Sequence, residues 1–182
     1  MVYLANNIED DLKLAIDKLG KGDELALDVG TGRARMAYAL AKYGYCVVSI
    51  EYDIDVLKKA KESTNLVNGD GKIVFIQGDA HHLPFLDESF GVVASYNAMH
   101  HMKDYKKAID EMVRVCKCDG KILITELNES GKERVAEMHS QRGSHHESNI
   151  DIYDVVSYLN TAYNIKGEVY NAEYIDIFYG KK

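Results

Sequence analysis

Short apolar runs alternate with segments of helical periodicity along most of this chain. Five runs have the length and composition of strands, at residues 24–29, 45–50, 72–77, 90–96 and 121–126. Segments with apolar residues at helical spacing lie at 7–20, 33–43, 53–67 and 104–117. Strands that are separated by single helices pair in parallel through right-handed crossovers. The alternation therefore predicts an α/β fold with a doubly wound sheet.

The C-terminal part predicts a different connection. After a polar stretch at 127–149 and a helix at 150–162, the sequence NIKGEVYNAEYIDIFYG holds two strand-like runs joined at Asn171 and its neighbours. A connection this short cannot make a parallel crossover, so the two strands must form an antiparallel hairpin. We therefore predict a Rossmann-like sheet of seven strands, mostly parallel, with a C-terminal antiparallel hairpin.

Composition limits the classes of protein and partner. The chain has 182 residues, of which 46% are hydrophobic and 28% charged, and this balance predicts one domain over 1–182. A formal net charge of −7 argues against a nucleic-acid partner, because phosphate backbones attract clustered Lys and Arg. The N-terminus has acids where a signal peptide needs a basic region, and no apolar run is long enough for a membrane span. We predict a cytoplasmic protein.

The three cysteines point to a reducing compartment. Cys46, Cys116 and Cys118 form an odd count without the spacing of a disulfide framework. Cys116-x-Cys118 could bind a metal, but no second Cys or His pair follows at the spacing of a zinc module. We favour buried or half-buried thiols and predict no metal here.

Acidic residues end the first three predicted strands. Asp28 precedes the turn Gly30-Thr31-Gly32, Glu51 ends the second strand, and Asp79 follows the third. Ligands of open α/β sheets bind beyond the carboxyl ends of the strands, so these acids should share one surface. Three carboxylates suit an anionic phosphate poorly. A cationic ligand rich in hydrogen-bond donors suits them better, and S-adenosylmethionine is such a ligand.

The glycine turn itself excludes two common nucleotide motifs. In GTGRAR, Arg35 occupies the position of the third glycine of the dinucleotide pattern. The phosphate-binding P-loop pattern also fails, because no Gly-Lys-Ser/Thr follows.

Four segments in order resemble the class I S-adenosylmethionine-dependent methyltransferases. They are LALDVGTGRA, VVSIEYD, IQGDAHHLPFLDESFGVVASYNAMHHMKD and RVCKCDGKILITE. The sequence is most similar to the branch that includes the ubiquinone- and menaquinone-biosynthesis methyltransferases, over about residues 24–126. The predicted C-terminal hairpin also fits that fold.

The resemblance implies a role for each strand end. Asp28 and the backbone of Gly30 and Gly32 would hold the methionine end of the cofactor. Glu51 would accept hydrogen bonds from both ribose hydroxyls, since a carboxylate has two oxygens.

The same resemblance implies contacts to the adenine and to the methyl end. Tyr52 would lie beside the adenine, and Asp79 would bind its amine with the Ala80 backbone nearby. Ser95 to Asn97 would line the methionine and methyl end, with Ser95 and Asn97 as its polar residues.

Three positions depart from the family pattern. Ala34 replaces the third glycine of the usual loop, Gly91 replaces an Asp, and Cys118-Asp119 replaces a Pro-Gly turn. These are packing or turn positions, so they bear on the branch assignment more than on the cofactor.

The acceptor side offers fewer specific signals. The sequence NAMHHM after the fourth strand lacks the proline-containing motif of the amide-methylating enzymes of this fold, which argues against N6-adenine methylation. Histidine is the residue type that most often acts as a base near neutral pH, so His100 and His101 are candidate catalytic bases, although a packing role for His100 is an equal alternative. We interpret His81 and His82 as surface residues.

The segment EMHSQRGSHHESNID, residues 137–151, resembles the family least. A solvated loop is the first interpretation and substrate recognition the second. For the second, Arg142 could bind a carboxylate or phosphate, and His145 and His146 are further candidate contacts. A metal site is a weaker third possibility, because no recognised ligand spacing is present.

The sequence thus predicts a single-domain methyltransferase that acts on a small molecule at carbon, oxygen or nitrogen. Three alternatives stay open: methylation of RNA or protein, transfer of another group such as aminopropyl from a related sulfonium, and a non-catalytic cofactor-binding module that regulates a partner.

Overall fold

The computed structural model describes residues 3–64, 72–140 and 150–182. Seven strands form one sheet in the order β3-β2-β1-β4-β5-β7-β6. Their bounds are β1 Leu25–Val29, β2 Cys46–Glu51, β3 Ile73–Gln77, β4 Phe90–Tyr96, β5 Cys116–Leu127, β6 Gly167–Asn171 and β7 Ile175–Lys181. Strands β1 to β5 pair in parallel, whereas β7 is antiparallel to both β5 and β6. The predicted doubly wound sheet and its C-terminal hairpin are confirmed.

The described residues also form six α-helices and one 3-10 turn, which we call η1. Their bounds are α1 Tyr3–Leu19, α2 Arg35–Lys42, α3 Ile54–Thr64, η1 Met99–His101, α4 Tyr105–Val115, α5 Glu129–Ser140 and α6 Ile152–Tyr163. No helix of the described residues is long and apolar enough to cross a membrane.

Helix α5 lies in the stretch 127–149, which the sequence marks only as polar, and the first interpretation of 137–151 as a solvated loop is wrong for 137–140. Its sequence hides the helical period because apolar residues are few and Gly131 stands in the first turns. The tertiary structure explains this glycine. A Cβ at position 131 would lie 2.0 Å from the carbonyl oxygen of Tyr174, so only glycine lets the helix pack against the β6–β7 turn.

The core consists of two layers, one on each face of the sheet. Side chains alternate between the faces along each strand: Leu27 and Val29 pack with α4 and α6, whereas Ala26 packs with α1 and α2. All three residues are fully buried. The central strands are therefore apolar on both faces, and polar side chains concentrate at their carboxyl ends.

Strand β5 begins earlier than the sequence predicts. Cys116 pairs with Phe90, and the register then shifts so that Lys121 pairs with Val92. Asp119, in the intervening bulge, adopts a left-handed φ of 62°. Cys116 is buried as predicted, whereas Cys46 and Cys118 are exposed, so the prediction of buried or half-buried thiols is wrong for these two.

Candidate functional site

The glycine turn after β1 is tied to the neighbouring strand. The backbone amides of Gly30 and Thr31 both donate to the carbonyl oxygen of Ile50, at 3.0 and 3.1 Å. Gly30 and Gly32 have φ values of 87° and 50°, a region that glycine adopts without steric cost. The turn therefore presents its backbone at the carboxyl edge of the sheet.

The segment after β4 packs directly on this turn. A Cβ at Gly30 would lie 2.6 Å from the Cβ of Ala98 and 3.8 Å from Cε of Met102. Glycine at position 30 thus allows the η1 segment and the glycine turn to be in contact. Residues of the first and fourth strand ends therefore belong to one site.

Asp28 lies beneath the glycine turn and is fully buried. Its Oδ2 accepts a hydrogen bond of 2.7 Å from the Ser49 hydroxyl, which itself lies 2.7 Å from Oγ1 of Thr31. Oδ1 has no hydrogen-bond partner among the described residues. Burial, with a smaller contribution from the charge of Glu51, raises the pKa of Asp28 to about 7. In this structure Asp28 holds the turn from below, and direct contact with a ligand stays a prediction.

Glu51 connects the ends of the first and second strands. Its Oε2 accepts from the Gly32 amide at 3.0 Å, and its Oε1 accepts from the Asp53 amide at 3.1 Å. Each carboxylate oxygen has a second lone pair. Glu51 can therefore orient the glycine turn and still accept hydrogen bonds from a ligand with two hydroxyl groups.

An open groove of about 510 Å³ lies between the ends of β2 and β3. Its lining is formed by the residues that follow these strands: Tyr52, Asp53, Ile54, Gln77, Gly78 and Asp79. Tyr52 is 75% exposed and offers a free aromatic surface on one side. The groove is large enough for a heteroaromatic ring, and Tyr52 offers such a ring an aromatic surface. Ala80, beside it, is half-buried against the core.

His81 contacts the groove residue Asp79 and is half-buried, so the interpretation as a surface residue is wrong for His81. Its Nδ1 lies 2.6 Å from Oδ1 of Asp79, and its side chain is only 21% exposed. Its Nε2 accepts from the Asp104 amide at 3.3 Å, so Nδ1 carries the proton and donates it to Asp79. The backbone amide of His81 also donates to Oδ1 of Asp79. This bond, together with the smaller effect of the His81 ring, holds the pKa of Asp79 below its usual range. The sequence order alone does not reveal that this loop folds back onto α4.

Ser95 and Asn97 have different environments. Ser95 is fully buried and donates to the carbonyl oxygen of Val29 at 2.9 Å, which ties β4 to β1. Asn97 is half-buried, has a left-handed φ of 49°, and accepts from the Thr125 hydroxyl at 2.9 Å. Of the two, Asn97 alone reaches solvent, and their predicted contacts with a ligand stay predictions.

His100 is held by a residue that sequence reasoning missed. Its Nδ1 lies 2.5 Å from Oε2 of Glu126, and Oε1 of Glu126 accepts from the Met99 amide at 2.8 Å. The ring of His101 packs beside that of His100, with centroids 4.0 Å apart. The signal for Glu126 was present, since it is an acid near the carboxyl end of an apolar strand, like Asp28 and Glu51.

The candidate substrate residues Arg142, His145 and His146 lie outside the described residues. In the described part of the chain, no three or more His, Cys, Asp or Glu side chains come together to hold a metal ion.

Comparison with known proteins identifies relatives for this arrangement. The profile of the family described as "Methyltransferase domain" matches residues 27–124. The chain is 30% identical over 106 residues to an uncharacterized methyltransferase, YcgJ, of Bacillus subtilis, covering 58% of this chain and 42% of that protein. It is 32% identical over 117 residues to a demethylmenaquinone methyltransferase of Renibacterium salmoninarum, covering 64% and 47% respectively. The chain thus spans less than half the length of either protein.

Solved structures extend the likeness to the whole fold. A SAM-dependent methyltransferase from Aquifex aeolicus superposes with a TM-score of 0.76 over 94% of this chain and 89% of that chain, at 19% identity. The Bacillus YcgJ structure superposes with a TM-score of 0.65 over 95% and 98%, at 21% identity. At these identities the superpositions establish the fold alone.

Proposed function

The chain belongs to the methyltransferase-domain family, and on that premise we propose that it transfers a methyl group from S-adenosylmethionine to a small-molecule acceptor by in-line displacement. Family membership confirms the class I methyltransferase resemblance and S-adenosylmethionine as the cofactor. The acceptor class, the methylated atom, the single-domain organisation over 1–182 and the cytoplasmic location stay predictions.

The observation that carries the proposal is the edge formed by Glu51, the glycine turn and the groove beside Tyr52. Glu51 keeps one lone pair on each oxygen after binding the Gly32 and Asp53 amides, as a ribose diol requires. Tyr52 and Asp79 line the groove that would receive the adenine. Hydrogen bonds from the His81 backbone and ring lower the pKa of Asp79, so its carboxylate can accept a hydrogen bond from the adenine amine. The residues present therefore fit the cofactor.

Charge at the glycine turn also fits a cationic ligand. Asp28 lies below the turn, and its Oδ1 has no hydrogen-bond partner among the described residues. Because burial raises the pKa of Asp28 to about 7, a positively charged ligand nearby would favour the ionised form of this carboxyl group and would itself be stabilised by it. When bound, S-adenosylmethionine supplies a methyl carbon activated by a positively charged sulfur. The chain's own task is then to hold the acceptor in line with that carbon, since positioning provides most of the acceleration in such a displacement.

For the acceptor we propose a small ring of the quinone type. Support comes from relatives named demethylmenaquinone methyltransferase and from the net charge of −7, which disfavours nucleic acid. The reduced ring, a hydroquinone, is electron-rich at the carbons beside its hydroxyl groups and is therefore a carbon nucleophile.

Calorimetric titration tests the cofactor side of this proposal. We expect S-adenosylmethionine and S-adenosylhomocysteine to bind with micromolar dissociation constants, and NAD, as the control ligand, not to bind. Absence of binding by both sulfur compounds would overturn the proposal.

A transfer assay with methyl-labelled cofactor tests the acceptor side. We expect label to enter 1,4-naphthoquinol and not bulk tRNA or casein, with mass spectrometry to distinguish a methyl from an aminopropyl product. Labelling of tRNA or protein in place of the naphthoquinol would overturn the small-molecule assignment. Cofactor binding without transfer to any of them would favour the regulatory module.

A further inference from the structure

Glu126, near the carboxyl end of β5, is an almost fully buried ionisable residue that the proposed function does not use. Its side chain is 1% exposed and that of His100 is 8% exposed. A carboxylate is costly to bury unless it is paired and hydrogen-bonded. Both oxygens of Glu126 meet this requirement with groups of one short segment, the Met99 amide and the His100 ring. Glu126 therefore fixes η1 to the end of β5.

The bond between these two residues determines where the imidazole carries its proton. An ionised carboxylate only accepts hydrogen bonds, so Nδ1 of His100 is the donor in the 2.5 Å contact. In a neutral ring the other nitrogen then carries the lone pair. Nε2 of His100 is consequently a proton acceptor.

Nε2 is also accessible. No hydrogen bond to this atom occurs within the described residues, and the only buried side-chain nitrogen or oxygen there without a partner is Oδ1 of Asp28. Nε2 is therefore not sealed inside the protein.

The location of the pair is set by the packing of η1. Ala98 and Met102, on either side of His100, contact the glycine turn at Gly30. The histidine thus belongs to the segment that covers the turn where the methionine end of the cofactor is proposed to bind.

We propose that Glu126 is a positioning residue that holds His100 as a general base, and that the acceptor therefore carries a proton that must leave when it is methylated. This inference rests on the proposed function. Its substrate class is protic nucleophiles such as hydroquinones, phenols and enols, and it excludes thioethers and tertiary amines, which have no proton to lose.

The step balances with the groups named. The acceptor atom forms a bond to the methyl carbon, the carbon–sulfur bond breaks with its electron pair going to sulfur, and the acceptor proton goes to Nε2 of His100. The positive charge that leaves sulfur appears on the imidazolium, where the Glu126 carboxylate stabilises it at 2.5 Å.

A purely structural role for Glu126 predicts different behaviour of its amide variant. In Glu126→Gln the side chain still accepts from the Met99 amide, so the fold of η1 is kept. Its NH₂ group, however, is a donor and favours the imidazole form in which Nδ1 accepts and Nε2 carries the proton. The same change of tautomer disables the histidine of serine proteases, a known example of this effect.

Nitrogen-15 NMR of the histidine rings tests the inference without an acceptor. We expect His100, assigned by comparison with His100→Gln, to be protonated at Nδ1 in the wild-type protein and at Nε2 in Glu126→Gln. A wild-type His100 protonated at Nε2 would overturn the inference even if the protein binds its cofactor and is active.

Kinetics with 1,4-naphthoquinol provide the second test. We expect Glu126→Gln to lower kcat by roughly 100-fold or more, in the range for loss of a general base, with cofactor affinity unchanged by calorimetry. The double variant with His100→Gln should be no slower than the slower single variant, because the two residues act as a unit. Asp176→Asn is the matched control, since Asp176 of β7 lies opposite Glu126 of β5 in the strand register and has the same acid-to-amide change. Its kcat should stay within about 2-fold of wild type.

The outcomes separate the two proposals. A folded Glu126→Gln protein with wild-type kcat overturns the positioning role and leaves the methyl transfer standing. Loss of cofactor binding in the wild-type protein overturns the proposed function, while the NMR result still decides the tautomer.

Discussion

Among the described residues, two histidines that are at least partly buried pair with a carboxylate at the carboxyl edge of the sheet, and the two pairs differ in burial. His81 with Asp79 lies beside the open groove, with side chains that are 21% and 38% exposed. His100, in η1 after β4, and Glu126, in β5, have side chains that are only 8% and 1% exposed. The contacts between ring and carboxylate are almost equal in length, 2.6 and 2.5 Å. The same chemical pair therefore occurs once at a solvent-exposed loop and once in a nearly buried position.

The difference follows from the elements that carry each pair. Asp79 and His81 belong to one loop after β3, where solvent reaches both side chains. Glu126 lies on β5, between β4 and β7 in the sheet, and its histidine comes from a different strand end. Only the second pair links two parts of the chain inside the protein.

Removal of each histidine should produce the largest contrast. His100→Ala leaves the Glu126 carboxylate buried with one oxygen unpaired, so we expect the free energy of unfolding to fall by about 3 kcal/mol. His81→Ala, the matched variant, should lower it by about 1 kcal/mol or less, because solvent replaces the lost partner. Urea unfolding at neutral pH measures both. Equal losses would contradict the distinction between the pairs.

Loss of the Glu51 carboxylate, at the end of β2 next to the groove, should act on binding. Glu51→Ala removes a charged acceptor, so we expect S-adenosylmethionine binding to weaken by about 1.5–3 kcal/mol. The control is Asp55→Ala, an exposed acid on α3 outside the groove lining. Calorimetry on both variants decides the point, and an unchanged affinity in Glu51→Ala would mean that the ribose binds elsewhere.

Asp28 extends the comparison to a buried carboxylate without a histidine. Burial raises its pKa from 3.8 to about 7, so the folded protein binds this proton more tightly than the unfolded chain. The contribution of Asp28 to stability is therefore complete below about pH 4 and is lost as the pH rises to about 7.

We thus expect Asp28→Asn to gain stability over the wild type between pH 5 and 8, by about 1 kcal/mol or more at the upper end. Thermal unfolding of both proteins across this range measures the gain. A gain that does not grow with pH would show that Asp28 is not protonated on folding.

The smallest effect is expected at Ala34, where the family's usual glycine is absent. Ala34 is buried at the start of α2 with a left-handed φ of 57°. Ala34→Gly should relieve this strain and raise the free energy of unfolding by about 0.5 kcal/mol, after the added freedom of the unfolded chain is subtracted. Asn164→Gly is the control, because Asn164 has a similar φ of 54° and asparagine tolerates it. Its gain in the same urea assay should be smaller, and a destabilised Ala34→Gly would contradict the strain argument.

Much of the molecule was determined by local sequence pattern. The seven strands, the antiparallel end of the sheet and the acids at the first three strand ends all follow from periodicity and short-range residue order. The family's cofactor could be identified for the same reason, because its motifs are contiguous. Helix α5 could not be predicted in this way, because Gly131 weakens its helical pattern. The reason for this glycine is the close approach of the Tyr174 backbone, which only the structure shows.

Tertiary structure alone decided which side chains meet. Glu126 and His100 are 26 residues apart, and Asp104 lies 23 residues from the His81 ring that accepts from its amide. The sequence pattern places such residues at strand ends, but it does not show which of their side chains are close enough to form a hydrogen bond. By itself the sequence determined the sheet and the acids at its carboxyl edge, because these depend on local order. The structure determined the tautomer of His81, the enclosure of Glu126 and the burial of Asp28, because these depend on packing between distant segments.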